Sequence, residues 1–164
     1  DDIERSGGKA ILWKTGHSFI KAKVKASRAR LAGEMSGHIF YAHRYYGFDD
    51  ALYASLRLLE VLTADARPLS QHFDGVPEMF ATPEIRVDCA DEKKFEVVAR
   101  VTERFKKTNR VIDIDGARVL FDDGWGLVRA SNTGPILVLR FEAKSEAALA
   151  QIRATVERAV AEAQ

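Results

Sequence analysis

Apolar residues recur with strand or helix spacing along most of the 164-residue chain. In the first quarter, residues 9–13 (KAILW) and 39–41 (IFY) are short apolar runs that predict strands. Between them, the inward positions of a predicted helix are Phe19, Ile20 and Val24. This part of the chain therefore predicts a strand, a loop and a helix, followed by a second polar loop and a second strand.

A longer helix is predicted from about residue 49 to residue 63. Asp49 is a plausible N-cap, and four leucines follow at helical spacing: Leu52, Leu56, Leu59 and Leu62. We expect this leucine stripe to face a core. Residues 64–83 then carry three of the four prolines and show no clear period. They indicate a domain boundary, which we place as a first domain over 1–70, a linker over 71–82 and a second domain over 83–164.

The second half predicts a small sheet with two helices. Strands are predicted within 82–89 and at 111–114, 117–121, 125–128 and 136–141, with Asp-Gly turns between several of them. One helix follows Asp91, with an inward face of Phe95, Val98, Thr102 and Phe105. The other follows Ser145, with an apolar stripe of Leu149, Ile152, Val156 and Val160. The fold class is therefore α/β (α+β), with both helices of the second half on one face of an antiparallel-rich sheet.

Composition and charge limit the kinds of partner and the kinds of covalent or membrane structure that this chain could have. The net charge of +1 favours neither a nucleic-acid nor a membrane partner, and no apolar run is long enough to span a bilayer. Cys89 is the only cysteine, which excludes an internal disulfide and agrees with a cytoplasmic location. A basic series (Lys14, Lys21, Lys23, Lys25, Arg28 and Arg30) leaves nucleic-acid binding open against a solvated helix face.

A polar turn between the last two predicted strands is the first candidate site. Its residues are Arg129, Ala130, Ser131, Asn132, Thr133, Gly134 and Pro135. Glycine, proline and asparagine alone would reverse the chain, whereas arginine, hydroxyl and backbone donors together suit a phosphate. An ordinary polar turn remains the alternative.

A second candidate site is the string GEMSGH, residues 33–38. Glu34, Ser36 and His38 combine a carboxylate, a hydroxyl and a titratable imidazole on a glycine-flanked loop, which suits a polyhydroxy ligand. The histidines lack a metal-site spacing, so we predict no metal site in this chain. Asp113, Asp115, Asp122 and Asp123 are assigned to hairpin turns, with a cation loop as the alternative.

Five stretches together resemble bacterial phosphomannomutases/phosphoglucomutases of the α-D-phosphohexomutase superfamily, in the right order and over nearly the whole chain. They are KTGHSFIK, GEMSGH, RYYGFDDALYASLRLLEVL, TPEIRV and DGWGLVRASNTGPILVLRFEA. The resemblance implies the latter part of a truncated third domain followed by a complete fourth domain. The family's T-A-S-H-N-P nucleophile loop and D-G-D-x-D-R magnesium loop, which belong to earlier domains, do not occur in this sequence.

The resemblance also implies roles for individual residues. Arg129, Ser131, Asn132 and Thr133 match the loop that holds the non-reacting phosphate. Glu34 and Ser36 match residues that hold sugar hydroxyls, His17 matches a ligand contact, and His38 matches a possible general acid/base.

The parent enzyme so implied interconverts glucose or mannose 1-phosphate and 6-phosphate. The reaction passes through a phosphoserine and a hexose 1,6-bisphosphate, with Mg²⁺ bound outside this chain. The expected partners are a phosphosugar and the preceding domains of the same enzyme, and we expect the chain alone to be inactive. An independent, non-catalytic phosphosugar-binding or interaction module is the alternative.

Overall fold

A computed structural model describes residues 2–164 and divides the chain into two compact units. The first unit ends at Val76, and the second covers Pro77–Gln164. The helices are α1 (Asp2–Arg5), α2 (His17–Ser27), α3 (Ala51–Ala64), α4 (Asp91–Lys106) and α5 (Glu146–Ala163). None of them has the length and apolar character that crossing a bilayer would require, within the described residues.

The first unit is built on a small antiparallel sheet. Its strands, β1 (Leu31–Gly33), β2 (Ile39–Tyr41) and β3 (Phe48–Asp49), lie in that order. Behind them, Ile20 and Val24 of α2 pack with Phe40 in a core of three buried residues. The turn between β1 and β2 is the GEMSGH string, so the sheet presents that loop at one end.

Two predictions for the first unit are wrong. Residues 9–13 form no strand, because no described segment pairs with them, and Ile11, Leu12 and Trp13 remain about half exposed. The N-cap of α3 is Asp50 rather than Asp49, since the Asp50 carboxylate accepts from the backbone N–H of Tyr53 at 2.9 Å. Asp49 lies in β3 instead, and β1 and β3 were not predicted.

The leucine stripe of α3 does not pack into a core, which corrects a third expectation. Leu52, Leu56 and Leu59 are all more than half exposed within this unit. The side of α3 that meets the sheet carries Tyr53, which stacks on Tyr45 at 3.9 Å, and Arg57, whose guanidinium lies over the ring of Tyr41. Polar and aromatic contacts, rather than leucine burial, therefore fix the orientation of this helix.

The second unit is a six-stranded antiparallel sheet. Its strands are β4 (Phe80–Ala81), β5 (Ile85–Asp88), β6 (Val111–Ile112), β7 (Ala117–Phe121), β8 (Gly124–Ala130) and β9 (Ile136–Ala143). The order is β4-β9-β8-β7-β6, and β5 also pairs with β9. Strand β4 falls within the predicted linker, yet Phe80 and Ala81 pair with the end of β9.

Helices α4 and α5 pack against each other and cover one face of this sheet, so the predicted α+β class and arrangement are confirmed. Alternate residues of β7, β8 and β9 point into a core of seventeen buried residues that includes Val128, Leu137 and Phe141. Ser145 caps α5 as predicted, accepting from the N–H of Ala148 at 3.2 Å. The N-cap of α4 is Ala90 rather than Asp91, and Phe95 is 62% exposed, so the buried face of α4 is rotated from the predicted one toward Lys94 and Val97.

Candidate functional site

The RASNTGP turn joins β8 to β9, and hydrogen bonds fix its shape. The Ser131 N–H donates to the Ile136 carbonyl at 3.0 Å and closes the turn. Inside it, Ser131 Oγ accepts from the Thr133 N–H at 3.2 Å and lies 3.3 Å from Thr133 Oγ1. Ser131 is buried, whereas Asn132 and Thr133 are exposed. The turn therefore presents polar side chains to solvent from a defined backbone.

A buried lysine of α4 braces this turn from inside the unit. The side chain of Lys94 is 7% exposed, and its ammonium donates to the Ser131 carbonyl at 2.6 Å and to the Gly134 carbonyl at 3.1 Å. Its third donor reaches Asp91 Oδ1 at 2.7 Å. All three donors of the ammonium are thus used, which is what a buried lysine requires. The turn is held by a cation as well as by its own backbone.

Arg129 lies at the entrance to the turn. It alternates along β8 with the buried residues Val128 and Ala130, so it projects from the sheet face opposite the helices. Its Nη1 lies 3.6 Å from Asp115 Oδ2, which is longer than a hydrogen bond. Its Nε is buried and has no hydrogen-bond partner among the described residues. The guanidinium beside the turn is therefore not fully hydrogen-bonded within the described residues.

The histidine and glutamate residues predicted in the first unit converge around the β1–β2 turn. Glu34 follows β1, and its Oε1 accepts from the Gly16 N–H at 2.9 Å, which holds the residue before α2 against this turn. His17, the first residue of α2, thereby meets His38, and their rings lie edge to face with centroids 4.6 Å apart. Ser36 lies exposed in the same turn.

Asp49 completes this cluster. Its Oδ2 lies 2.7 Å from His38 Nδ1 and 3.3 Å from His17 Nε2, and its Oδ1 accepts from the Ile39 N–H at 3.2 Å. Partial burial alone would raise the pKa of the Asp49 carboxyl, but the hydrogen bonds from His38 and Ile39 and the charges of both imidazoles together lower it. The carboxylate is therefore held ionised between the two rings.

The donor set of this cluster does not suit Mg²⁺, the ion that the family resemblance implies elsewhere in the enzyme. The donor atoms of His17, His38 and Asp49 all lie within 4.8 Å of one another, a spacing that a cation could bridge. Mg²⁺, however, prefers six oxygen ligands, whereas two of these three donors are imidazole nitrogens. In the second unit, a cation loop was the alternative prediction for four turn aspartates. Three of them lie beside a lysine or arginine side chain: Asp113 beside Lys106, Asp115 beside Arg129, and Asp123 beside Lys144.

Sequence reasoning missed two of the residues that organise these sites. Asp49 was interpreted only as a helix cap, and Lys94 was not considered. A signal for Lys94 existed, because positions 94, 97 and 101 fall on one side of a helix and the other two are valines. A lysine on an apolar stripe needs a buried acceptor, which the turn supplies. No comparable pattern marked Asp49.

Two family models match the chain. The description "Phosphoglucomutase/phosphomannomutase, alpha/beta/alpha domain III" matches residues 1–80, and "Phosphoglucomutase/phosphomannomutase, C-terminal domain" matches residues 84–159. A phosphomannomutase/phosphoglucomutase of Pseudomonas putida is 50% identical over 152 residues, which is 92% of this chain and 33% of the relative.

Solved structures give the same result. A phosphoglucomutase/phosphomannomutase family protein from Burkholderia thailandensis matches with a TM-score of 0.86 and 45% identity, covering 98% of this chain and 34% of that protein. An Aspergillus fumigatus N-acetylphosphoglucosamine mutase, solved with glucose 1,6-bisphosphate, shares the fold with a TM-score of 0.62 at 14% identity over 98% of this chain and 36% of its own. The chain thus spans about a third of the length of the relatives it matches, and since the two family models together cover nearly all of its residues, it belongs to the phosphoglucomutase/phosphomannomutase family.

Proposed function

We propose that this chain provides sugar and phosphate recognition for a phosphohexomutase that interconverts hexose 1-phosphate and hexose 6-phosphate, with glucose or mannose as the sugar. The RASNTGP turn of the second unit holds the phosphate that is not reacting. His17, Glu34 and Ser36 of the first unit contact sugar hydroxyls, and His38 transfers a proton. The phosphoserine and the magnesium site belong to parts of the enzyme outside this sequence.

The braced turn is the observation that carries this proposal. A polar turn needs no buried lysine to reverse the chain, yet Lys94 places a desolvated positive charge directly behind Ser131 and Gly134. Arg129 adds a second cation on the opposite face of the sheet, with Asp115 at 3.6 Å from its Nη1 and no hydrogen bond from its Nε among the described residues. Because the donors of Lys94 are taken up by these carbonyls and by Asp91, its part is to fix the turn, and the groups left to meet an anion are Arg129 and the exposed Asn132 and Thr133, which are in place before the ligand arrives.

The reaction explains why recognition is divided in this way. A phosphohexomutase must hold a 1,6-bisphosphate in two opposite orientations, so that either phosphate can occupy the transfer position. This requirement is met by a phosphate-binding turn that accepts either phosphate, together with a hydroxyl-binding loop that accepts the sugar in both orientations. Arginine suits the grip because its charge does not titrate and its planar donors match phosphate oxygens.

The chain alone is expected to bind phosphosugar weakly without turning it over. Mg²⁺, when bound elsewhere in the enzyme, would neutralise charge on the transferring phosphoryl group. Neither serine of the two candidate sites is set up as a phosphate carrier. Ser131 is buried and its Oγ accepts from the Thr133 N–H, and Ser36 lies exposed in a turn. A serine nucleophile needs an adjacent activating base.

Titration of the ¹⁵N-labelled chain with glucose 1-phosphate, followed by ¹H–¹⁵N spectra, tests the phosphate assignment. We expect the amide signals of residues 131–134 to shift on binding. Arg129→Ala should weaken binding about 10- to 100-fold, because a hydrogen bond to a charged group contributes about 1.5–3 kcal/mol. Arg129→Lys should recover only part of the loss, since it restores the charge without the planar fork.

Arg153→Ala is the matched control, because Arg153 lies exposed on α5 and pairs with Glu157. It should bind glucose 1-phosphate like the unaltered chain. Equal binding by the Arg129 and Arg153 variants would show that the turn is not the phosphate site. Shifts confined to the first unit would place the ligand elsewhere.

A further inference from the structure

We propose that Asp49 is a positioning residue that fixes the tautomers of both His38 and His17, and so leaves His38 Nε2 as the atom that exchanges a proton with substrate. This inference rests on the proposed function for its chemistry and on the geometry of the first unit for its assignment. Nothing in the sequence pattern or in the family comparison assigns such a role to Asp49.

The carboxylate is held in place before any ligand binds. Strand β3 sets Asp49 opposite Phe40 of β2, and the fully buried Phe40 ring fixes that register. The Ile39 N–H donates to Asp49 Oδ1 at 3.2 Å, which turns Oδ2 toward the imidazoles. The side chain of Asp49 is 23% exposed, against 45% for His38 and 47% for His17. The Asp49 side chain is thus more buried than the two imidazole rings beside it.

A single oxygen atom, Asp49 Oδ2, determines which nitrogen carries the proton in both imidazoles. Ionised Asp49 can only accept, so His38 Nδ1, hydrogen-bonded to it at 2.7 Å, must carry a proton. His17 Nε2 lies 3.3 Å from the same oxygen as an ion pair, and the negative charge favours a proton there over a lone pair. In the neutral state, this leaves a lone pair on His38 Nε2 and another on His17 Nδ1. The two histidines therefore present different nitrogens to a ligand, and the edge-to-face contact of their rings keeps those orientations distinct.

The arrangement matches what proton transfer to or from a sugar hydroxyl requires. As the hydroxyl oxygen forms its bond to phosphorus, the phosphoserine P–O bond breaks and its electron pair stays on the serine oxygen. The hydroxyl proton passes to His38 Nε2, and in the reverse reaction it returns to the sugar oxygen. The Asp49 carboxylate then stabilises the resulting imidazolium through Nδ1–H. His17 Nδ1 is left to accept a hydrogen bond from a neighbouring hydroxyl.

Long-range ¹H–¹⁵N spectra of the chain above the imidazole titrations test the assignment without any activity. We expect the Nδ1–H tautomer for His38 and the Nε2–H tautomer for His17. Asp49→Asn should give mixed tautomers in both rings. Asp50→Asn is the matched control, because it removes an adjacent carboxylate while asparagine still caps α3, and it should leave both tautomers unchanged. Finding His38 as Nε2–H in the unaltered chain, or unchanged tautomers in Asp49→Asn, would overturn the proposal.

In the complete enzyme, Asp49→Asn should lower kcat about 100-fold with KM changed by no more than about twofold, which is the pattern of a lost transition-state interaction. Asp50→Asn should retain kcat. A KM effect alone would show that Asp49 serves only binding, and would overturn the proposal. If the unaltered enzyme had no mutase activity, the proposed function would fail, whereas the tautomer assignment would still stand on the spectra.

Discussion

At the residue scale, the two candidate sites share one arrangement, in which a buried or partly buried charged side chain fixes the segment that carries the candidate ligand-binding residues. Lys94 holds the carbonyls of Ser131 and Gly134, and Asp49 holds the rings of His17 and His38. In each case the groups that would meet a ligand are recognisable from sequence, because their types suit phosphate or hydroxyls. The roles of the groups behind them are not: Lys94 is marked in the sequence only as a lysine on an apolar helix face, Asp49 is not marked at all, and the partners of both depend on which segments the fold brings together.

Replacing Lys94 with methionine tests the brace in the second unit. Methionine fills a similar volume, but it leaves the buried Ser131 carbonyl without its donor, whereas the Gly134 carbonyl keeps the Ile136 N–H. We expect the free energy of unfolding to fall by about 1–3 kcal/mol, the cost of a buried polar group left unsatisfied. Urea denaturation measures this change, and amide exchange across residues 131–134 should become faster in the same variant.

Lys93→Met serves as the control, because Lys93 is the exposed neighbour on the same helix. Its unfolding free energy should stay within about 0.5 kcal/mol of the unaltered chain. Equal stability and equal exchange in the two variants would mean that Lys94 does not support the turn.

At the element scale, the sequence predicted the second unit better than the first. Strand β7 has the predicted bounds, and β8 and β9 extend only one or two residues beyond theirs. Long apolar alternation and Asp-Gly turns are local signals, and here the local signal and the final packing agree. Strands β1 and β3 have two or three residues each and exist only through pairing with β2, so no local pattern could reveal them.

The leucine stripe of α3 is the reverse case, a strong local pattern that predicted the wrong packed side of the helix. Its periodicity is strong, yet the side of the helix that meets the sheet carries Tyr53 and Arg57. Helical spacing predicts that a helix has an apolar side, but it cannot say which side packs against the nearest sheet. Here the stacked Tyr45 and Tyr53 rings and the Arg57 contact to Tyr41 decide the orientation.

The glycine turn before β7 gives an element-scale prediction about the packing of β7 against β8. Gly116 precedes β7 with a φ of 84°, and a Cβ there would lie 2.4 Å from the Val128 carbonyl oxygen and 2.9 Å from Arg129 Cα. Gly116→Ala should therefore destabilise the chain by about 2 kcal/mol or more, because the left-handed backbone and the contact with β8 both oppose a side chain. Thermal or urea unfolding measures the change.

The comparison is Gly134→Ala, since a Cβ at Gly134 would meet no atom within 4 Å. Its stability should change by less than about 0.5 kcal/mol. The reverse ranking of the two variants would contradict the assigned strand register between β7 and β8.

At the scale of the whole molecule, the two units differ in how much core they build. The second unit buries a cluster of seventeen apolar residues beneath its two helices, whereas the first unit's cluster has three, counted over the described residues. Burial of apolar area is the main stabilising contribution to folding, and short strands add few ladder bonds. Each unit nevertheless carries one of the two candidate sites, so the residues proposed to bind the sugar lie on the unit with the smaller core.

This difference predicts unequal protection in native-state hydrogen exchange of the intact chain. Amides of β7, β8 and β9 should exchange through the rarest openings, and those of β1, β2 and β3 should exchange with a smaller free energy of opening. Exchange rates corrected for intrinsic chemistry give both values in one experiment. The Phe40 amide is the most demanding comparison, because its side chain is fully buried in the first unit.

If the Phe40 amide were as protected as that of Leu139, which is equally buried in β9, core size would not govern stability here. Val119→Ala supplies the internal calibration. It removes two methyl groups from the larger core and should lower protection in β7–β9 by about 1–3 kcal/mol. With that response as the scale, a small opening free energy at Phe40 identifies the first unit, which carries the proposed sugar-binding loop, as the unit with more stability to gain from ligand. Binding of glucose 1-phosphate there should then raise protection in β1–β3 more than in β7–β9, because a ligand stabilises the states that bind it.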